Sequence, residues 1–225
     1  MTYFNRTMIE RAKRGVMLDI GACYGVYMEP MSEKSTKVYA FEPFHENLNV
    51  MYKANKFPNV EIVPVVLSDV DDRVRLYTCT KNEQYSIGQH SISTDVANIK
   101  EWGHSSDKFN VVRSCRLDSF VKEQNISNIT AIKIDVEGAE DKVLEGARQT
   151  LKDNDAIISI ETHVPWDFGP RAQPFIEMLK RVESILVECG YVFWTPEGTV
   201  LAYMDKSMEF YCVKPNKDGF IRSPF

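Results

Sequence analysis

The fold of this chain is decided by one stretch, Ala131-Ile132-Lys133-Ile134-Asp135-Val136-Glu137-Gly138-Ala139-Glu140. An apolar run ends here in two acids and a glycine, and apolar residues at helical spacing follow. Open α/β sheets bind their ligands beyond the carboxyl ends of their strands, so acids at this position indicate a binding site. Acids also favour helix N-termini, where they would only cap the helix that follows. The remaining sequence must distinguish between these two interpretations.

Four other apolar runs also end in polar residues. The five runs that we predict to be parallel strands are 16–20, 37–41, 60–67 (interrupted by Pro64), 129–134 and 156–160. They are followed by Gly21 and Gly25, by Glu42, by Ser68 and Asp69, by Asp135 and Glu137, and by Glu161 and His163. The carboxyl ends of parallel strands lie at one edge of a sheet, so a single crevice would collect all of these groups. We therefore favour a binding site over five separate helix caps.

The other segments complete the predicted fold. Runs 191–194 and 209–213 are joined by a short link without a crossover helix, which predicts an antiparallel pair. Runs 74–79 and 111–115 are predicted strand partners. Helices are predicted at 44–55, 117–124 and 173–189, after Gly138, and from Gly25 to about Met31, ending near Pro30. We predict an α/β fold, a Rossmann-like doubly wound, mostly parallel seven-stranded sheet with an antiparallel last strand and helices on both faces.

The predicted organisation is one large domain. It comprises an N-terminal arm or helix at 1–15, a domain at 16–215 and a C-terminal tail at 216–225. Within the domain, the polar segment 80–110 is a loop insertion. It is a candidate lid, because long irregular loops often cover binding sites, and a disordered insertion is the alternative.

Composition and charge argue against several classes of protein. The 225 residues are 44% hydrophobic and carry a net charge of −5, which gives no basic footprint for nucleic acid. No apolar run approaches the roughly 18 residues of a membrane span, and the polar, basic N-terminus does not resemble a signal peptide. The five cysteines are dispersed, which is typical of reduced thiols in a cytoplasmic protein.

Gly21 and Gly25 predict a tight turn between the first strand and the next helix. Glycine lets the backbone bend sharply and approach a ligand closely, and free N–H groups of the helix N-terminus would face that ligand. The spacing is G-x-x-x-G rather than G-x-G-x-x-G, which argues against a dinucleotide. Glu42 lies about 20 residues after the first strand, where Rossmann-like folds place an acid that accepts hydrogen bonds from both ribose hydroxyls.

These motifs resemble those of a known family. The strings Leu18-Asp19-Ile20-Gly21-Ala22-x-x-Gly25, Phe41-Glu42-Pro43 and Leu67-Ser68-Asp69 are similar to those of class I S-adenosylmethionine-dependent methyltransferases. A narrower likeness, to the FkbM methyltransferase family, is carried by Arg116-Leu117-Asp118-Ser119-Phe120, Lys133-Ile134-Asp135-Val136-Glu137-Gly138-Ala139-Glu140, Leu144-Glu145-Gly146-Ala147 and Ile160-Glu161-x-His163. Cys23 departs from the pattern, since the family usually has Asn there.

The resemblance implies S-adenosylmethionine as cofactor and assigns residues to its parts. The residues implied to hold it are Asp19, Gly21, Ala22, Cys23 and Gly25 at the methionine part, Glu42 and Pro43 at the ribose, and Ser68 and Asp69 near the adenine. Asp135 and Glu137 would face the transferred methyl group and the acceptor, with Asp135 also touching the cofactor.

The resemblance also implies methyl transfer, typically to an oxygen of a sugar or a secondary metabolite. Transfer from a sulfonium is an in-line displacement, so the protein must align the acceptor oxygen and remove or share its proton. The candidate catalytic residues are Asp135, Glu137, Glu161, His163 and, from the loop insertion, His90. His163 suits general-base work at neutral pH, unless it only orients Glu161. A divalent metal on Asp135, Glu161 and His163 is a second hypothesis, not favoured because the sequence has no metal motif of fixed spacing.

Three other functions stay open on the sequence alone. The first is an NAD-dependent oxidoreductase, against which the missing G-x-G-x-x-G argues. The second is a non-catalytic nucleoside-binding module on the same fold, which the acids at 135, 137 and 161 make less favourable. The third is a methyltransferase for a nitrogen or a protein. We expect a small-molecule or saccharide hydroxyl as the acceptor, and neither a nucleic acid nor a membrane as partner.

Overall fold

A computed structural model describes residues 3–78, 90–98, 107–162, 169, 172–194, 200–201 and 209–215. The helices in these ranges are α1 (Tyr3–Arg11), α2 (Met28–Lys34), α3 (His45–Ala54), α4 (Thr94–Ala97), α5 (Leu117–Glu123), α6 (Glu140–Glu145), α7 (Arg148–Asp153) and α8 (Gln173–Glu188). None of these helices has the length and the apolarity of a membrane span. The predicted tail at 216–225 lies outside the described residues.

The strands form one large sheet and one small sheet. They are β1 (Val16–Ile20), β2 (Lys37–Phe41), β3 (Val60–Val63), β4 (Val66–Leu67), β5 (Arg73–Tyr77), β6 (Phe109–Cys115), β7 (Ile129–Ile134), β8 (Ile157–Glu161), β9 (Val192–Trp194), β10 (Val200–Leu201) and β11 (Glu209–Val213). The large sheet has the order β10-β9-β11-β8-β7-β1-β2-β3, and the small sheet has the order β4-β6-β5.

The large sheet confirms the predicted α/β fold. Strands β8, β7, β1, β2 and β3 pair in parallel, and β11 runs antiparallel to both β8 and β9. Seven strands therefore match the predicted mostly parallel sheet with an antiparallel last strand. The eighth, β10, forms an antiparallel pair with β9 and was missed. Two residues are too few to show the alternation by which a strand is recognised in sequence.

The small sheet follows from Pro64. The apolar run 60–67 divides there, so that β3 belongs to the large sheet while β4 pairs in parallel with β6. Proline has no N–H to continue a strand ladder, and the chain can change sheets at this point. The predicted partnership of 74–79 with 111–115 is confirmed, because β5 and β6 are antiparallel neighbours.

Side chains of β1 alternate between two apolar layers. Leu18 and Ile20 belong to the layer that α5 to α8 cover, whereas Met17 belongs to the layer that α1, α2 and α3 cover. Met8 and Ile9 of α1 are buried in this second layer, so the N-terminal segment packs as a helix. Helices thus cover both faces, and the loops at the carboxyl edge of the sheet are left to build a site.

The helix after the glycine turn differs from the prediction. It begins at Met28 and continues through Pro30 to Lys34, so the expectation that it ends near Pro30 is wrong. Pro30 occupies the first turn, where N–H groups have no acceptor within the helix and a missing N–H costs nothing. The helix predicted after Gly138 is two short helices, α6 and α7, which meet at Gly146 and Ala147. The four-residue helix α4 was also missed.

Gly146 allows that junction to lie directly against the end of β4. A Cβ atom at position 146 would overlap the backbone carbonyl oxygen of Ser68. The φ of Gly146 is −72°, an ordinary helical value, so close approach alone requires glycine here. The contact joins the small sheet to the helical layer.

We expect Gly146→Ala to lower the free energy of unfolding by about 3 kcal/mol, because backbone atoms must move to admit one methyl group. Gly190→Ala is the matched control. Gly190 has a φ of 88° with open space around a new Cβ, so its substitution should cost only about 1 kcal/mol. Urea unfolding of both variants measures the difference, and an equal loss would contradict the close approach.

Candidate active site

A cavity of about 220 Å³ lies at the carboxyl edge of the large sheet. Its walls come from the ends of β1, β2 and β7, from the segment that joins β3 to β4, and from the small sheet. The predicted site residues that line it are Gly21, Cys23, Glu42, Pro43, His90, Asp135 and Glu137. One crevice therefore contains predicted groups from the ends of three neighbouring parallel strands, out of the five strand ends that the sequence analysis expected there.

The glycine turn folds back over the end of β2. The N–H groups of Gly21 and Ala22 both donate to the carbonyl oxygen of Phe41, at 3.1 and 2.9 Å. Gly21 has a φ of 77° and Gly25 a φ of 76°. A Cβ atom on Gly21 would overlap the carbonyl oxygen of Asp135, so this glycine also allows the turn to touch the end of β7. The turn thus connects three adjacent strand ends.

Glu42 is held by backbone N–H groups on both sides. Its Oε2 accepts from the N–H of Cys23 at 2.8 Å, and its Oε1 accepts from the N–H of Phe44 at 2.8 Å. The side chain of Asn47 also hydrogen-bonds to it. A carboxylate has about four acceptor positions, so these three bonds leave one for a ligand hydroxyl. Glu42 therefore braces the glycine turn and can accept from a ligand hydroxyl at the same time.

The environment of Cys23 shows why this position can depart from the family pattern. Cys23 has a φ of 51°, a left-handed conformation that Asn adopts more readily than most residues. The contact seen at this position is made by its backbone N–H to Glu42, which any residue except proline supplies. Burial, with Glu42 nearby, raises the pKa of the Cys23 thiol to about 11, so the side chain is a neutral thiol at physiological pH.

A buried lysine lies beneath the cavity between two acids. Lys133 faces Asp19 across the β1–β7 pair, and its Nζ lies 3.4 Å from Asp19 Oδ1 and 3.4 Å from Asp135 Oδ2. The same Nζ donates to the carbonyl oxygen of Gly21 at 2.6 Å. Lys133 is 3% exposed and Asp19 is fully buried. One ammonium group therefore connects the glycine turn to the acid at the end of β7.

The charges of this cluster stabilise one another. Burial opposes the charge of Lys133, but the carboxylates of Asp135 and Asp19 more than offset it and raise the pKa of the ammonium above its usual value. Burial raises the pKa of Asp19, and the charge of Lys133 opposes that rise. The lysine keeps its proton and holds Asp135, which is 30% exposed, at the rim of the cavity.

The turn after β7 has a backbone conformation that few residues adopt. Glu137 has a φ of 56° and Gly138 a φ of 88°. The N–H of Gly138 donates to Oε1 of Glu140, a fully buried residue in the first turn of α6, at 3.0 Å. A Cβ atom on Gly138 would lie 2.6 Å from a methyl carbon of Val96, so α4 packs directly on the turn. These contacts fix Glu137 in the cavity wall.

The small sheet and residues 90–98 close the cavity on the side of β2. Tyr77 and Ser91 exchange backbone hydrogen bonds of 2.8 and 3.2 Å, which fix the segment that carries His90 and Ile92. The ring centroid of His90 lies 3.7 Å from that of Phe44, with 42° between the planes. Residues 79–89 and 99–106 of the predicted loop insertion lie outside the described residues, so the lid stays a prediction.

Most of the chain matches one family model. The model of the methyltransferase FkbM domain matches residues 19–193. This chain belongs to the FkbM methyltransferase family. No curated protein matches the chain.

Solved structures resemble this FkbM domain at low sequence identity. An FkbM methyltransferase from Methylobacillus flagellatus KT has a TM-score of 0.50 and 15% identity, and the match covers 90% of this chain and 44% of that chain. This chain therefore spans less than half the length of that protein. A predicted methyltransferase from Streptococcus mutans in complex with SAH has a TM-score of 0.46 and 10% identity over 92% of this chain and 91% of that one. TrmK from M. capricolum, in complex with S-adenosyl-homocysteine, has a TM-score of 0.44 and 14% identity over 95% of this chain and 67% of that one.

Several predicted site residues of the FkbM domain lie away from the cavity wall. Ala22, Gly25, Ser68, Asp69, Asp19 and Glu161 are not among the residues that line it. The hydroxyl of Ser68 donates to Asp69 at 2.8 Å instead of facing the cavity. Glu161 ends β8, opposite Glu209 of β11, and His163 lies outside the described residues. Within the described residues no three His, Cys, Asp or Glu side chains are grouped as metal ligands, so the metal hypothesis gains no support from them.

Two polar residues of the site, Lys133 and Asn47, are not among the predicted site residues. Lys133 had a signal, because a lysine inside an otherwise apolar strand has to be paired in the folded protein. Asn47 had no such signal, since an asparagine in the first turn of a helix can also serve the helix itself. The apolar wall formed by Val66, Leu76 and Ile92 depends on the small sheet, and periodicity does not place one sheet against another.

We expect Lys133→Met to lower the free energy of unfolding of the FkbM domain by about 3–5 kcal/mol, because it leaves Asp19 buried without its cation. The double variant Asp19→Asn/Lys133→Met should recover part of the loss. Arg6→Met is the control, since Arg6 pairs with Glu10 on the exposed surface of α1, where an ion pair contributes little. Chemical denaturation measures all three, and a Lys133→Met variant as stable as the control would contradict the buried charge cluster.

Burial also predicts a pH dependence from Glu42. Desolvation raises the pKa of its carboxyl to about 7, partly offset by hydrogen bonds from Phe44 and Cys23. The folded protein then keeps a proton that an unfolded Glu, with an ordinary pKa of 4.5, has lost, so stability falls as pH rises between these values.

Between pH 5 and pH 7.5 the wild-type protein should lose about 2 kcal/mol more free energy of unfolding than Glu42→Gln, which has no proton to release. The two unfolding curves measured at each pH test this expectation. Equal pH dependence in both proteins would show that Glu42 has an ordinary pKa.

Proposed function

We propose that this FkbM domain transfers a methyl group from S-adenosylmethionine to a hydroxyl of a sugar or a secondary metabolite. One observation carries the proposal: the glycine turn, Glu42 and the turn that holds Asp135 and Glu137 share a single cavity. Family membership supplies the reaction class. The cavity supplies chemically different groups at its two ends.

The Glu42 end of the cavity suits a ribose. The Glu42 carboxylate is oriented by two backbone N–H groups and by Asn47, and Glu42 is 5% exposed. Its remaining acceptor position can take a hydrogen bond from a ribose hydroxyl. We therefore assign Glu42 and Pro43 to the ribose, and Gly21 with Cys23 to the part of the cofactor that bears the sulfur.

The Asp135 end suits a cationic centre and a hydroxyl. When bound, the cofactor supplies a methyl group on a sulfonium, which is a good leaving group. The positive charge of Lys133 is offset by Asp19 and Asp135, and Glu137 adds a further acid to the wall, so the acids outnumber the cation around this end. We propose that Asp135 and Glu137 orient the acceptor hydroxyl and share its proton, with Glu161 and His163 as further candidates.

The ends of the cavity are two strands apart. In the order β7-β1-β2, the end that holds Asp135 and the end that holds Glu42 are separated by β1. Adjacent strands lie about 4.8 Å apart, so an extended ligand of about 10 Å can touch both ends at once. This separation supports a cofactor with a nucleoside at one end and a reactive centre at the other.

The test combines binding with transfer of labelled methyl groups to panels of sugar and metabolite hydroxyls, amines and proteins. We expect the wild-type protein to bind S-adenosylhomocysteine and to label a hydroxyl acceptor. Glu137→Gln and Asp135→Asn should each lower kcat by about 100-fold or more, because both remove a proton acceptor. Glu61→Gln on β3, which pairs with Lys37 at the surface, is the control and should keep full activity.

Each other outcome has one meaning. Failure of the wild-type protein to bind S-adenosylhomocysteine contradicts the cofactor assignment. Binding with label found only in amines or protein contradicts the hydroxyl acceptor, and binding without transfer to any panel identifies a non-catalytic module.

A further inference from the structure

The cavity continues beyond Glu42 into a space that the predicted residues do not explain. We define its base end as Val65, Val66, Leu67, Leu76 and Ile92, which line it on the side of the small sheet. Pro43, Asn47 and His90 also line the cavity, and Val136 and Ala139 of the turn after β7 pack against Val66, Leu76 and Ile92. The base end is therefore apolar, with one amide and one imidazole beside it.

If Glu42 binds the ribose, as the proposed function states, the direction of the cofactor is fixed. The sulfur-bearing chain leaves the ribose towards Gly21 and Asp135, so the base must leave it on the opposite side. That side leads from β2 towards β3 and the segment Val65–Leu67. A purine has two apolar faces and a polar edge. The apolar walls of the base end suit those two faces.

His90 lies at the Glu42 side of the cavity. Its ring contacts the ring of Phe44, and the backbone N–H of Phe44 donates to the carboxylate of Glu42. Phe44 therefore links the imidazole to the carboxylate that we assign to the ribose. Both ring nitrogens of His90 are buried. Asn47, 2% exposed, is bonded to Glu42 and lines the same wall. These contacts place His90 in the cavity wall on the side of Phe44 and Asn47.

We infer that His90 is a cofactor-specificity residue that contacts the adenine base, and not the general base of the methyl transfer. An imidazole can stack on a purine and carries one hydrogen-bond donor and one acceptor for its polar edge. Ser68 and Asp69, the pair expected near the adenine, bond to each other outside the cavity wall. His90 therefore contacts the base in place of the residues that follow β4.

The backbone around His90 is built to hold this position. The Tyr77–Ser91 bridge ties the segment to β5, and the hydroxyl of Ser91 accepts from the N–H of Ser93 at 3.0 Å. Ser93 in turn caps α4 through the N–H of Val96, which packs on Gly138. These contacts hold His90 in the cavity wall.

The experiment measures binding of three probes by calorimetry: S-adenosylhomocysteine, adenosine, and S-ribosylhomocysteine, which lacks the base. His90→Ala should weaken binding of the first two by about tenfold, the size of one lost base-stacking contact, and leave the third unchanged. His90→Phe keeps a ring against Phe44 and should lose about threefold. His45→Ala is the matched control, because His45 is the adjacent exposed histidine, 73% exposed and paired with Glu46, and should leave all three affinities unchanged.

The outcomes separate this inference from the proposed function. Wild-type protein that binds no S-adenosylhomocysteine overturns both. Wild-type protein that binds it, with His90→Ala binding it equally well, overturns only the role of His90, as does an equal loss for S-ribosylhomocysteine. Thermal unfolding of His90→Ala and His90→Phe verifies the fold. If His90→Ala is unfolded, His90→Phe is used instead. A threefold weaker binding of adenosine to His90→Phe supports the role of His90, and unchanged binding overturns it.

Discussion

A single buried ammonium group connects the parts of this site. Lys133 contacts Asp19, Asp135 and the carbonyl oxygen of Gly21, so the first strand, the central acid and the glycine turn depend on one charge. A buried cation is stable only where anions and carbonyl oxygens surround it, and this requirement fixes the register of β1 against β7. A slip by one residue would turn Lys133 to the opposite face, into the apolar layer under α5 to α8.

The two turns above this charge have complementary constraints. The glycine turn needs Gly21 because the backbone of Asp135 leaves no room for a side chain, and the acid turn needs Gly138 because Val96 leaves none there. Glu42 and Glu140 then fix these turns through backbone N–H groups of Cys23 and Gly138. These two acids of the FkbM domain thus hold the backbone of both turns in place.

The sequence predicted the parallel strands and their polar ends correctly because both have local signals. Apolar runs such as Val16–Ile20 are long enough to recognise, and the residues after them change character abruptly. The elements that differ from the predictions have weak or divided signals in the sequence. Strand β10 has two residues and α4 has four, and Pro30 lies in the first turn of α2 although a proline more often marks a helix end. The predicted adenine contacts, Ser68 and Asp69, follow a strand that had left the large sheet at Pro64.

The sequence by itself determined the sheet of parallel strands, the family and the acids that lie at the strand ends, since each depends on neighbours in the chain. Only the tertiary structure decided which of those groups share a cavity. Lys133 meets Asp19 across 114 positions of sequence, and His90 reaches Phe44 because the small sheet folds over the end of β2. Such contacts depend on register and on how two sheets pack, and neither leaves a local pattern in the sequence.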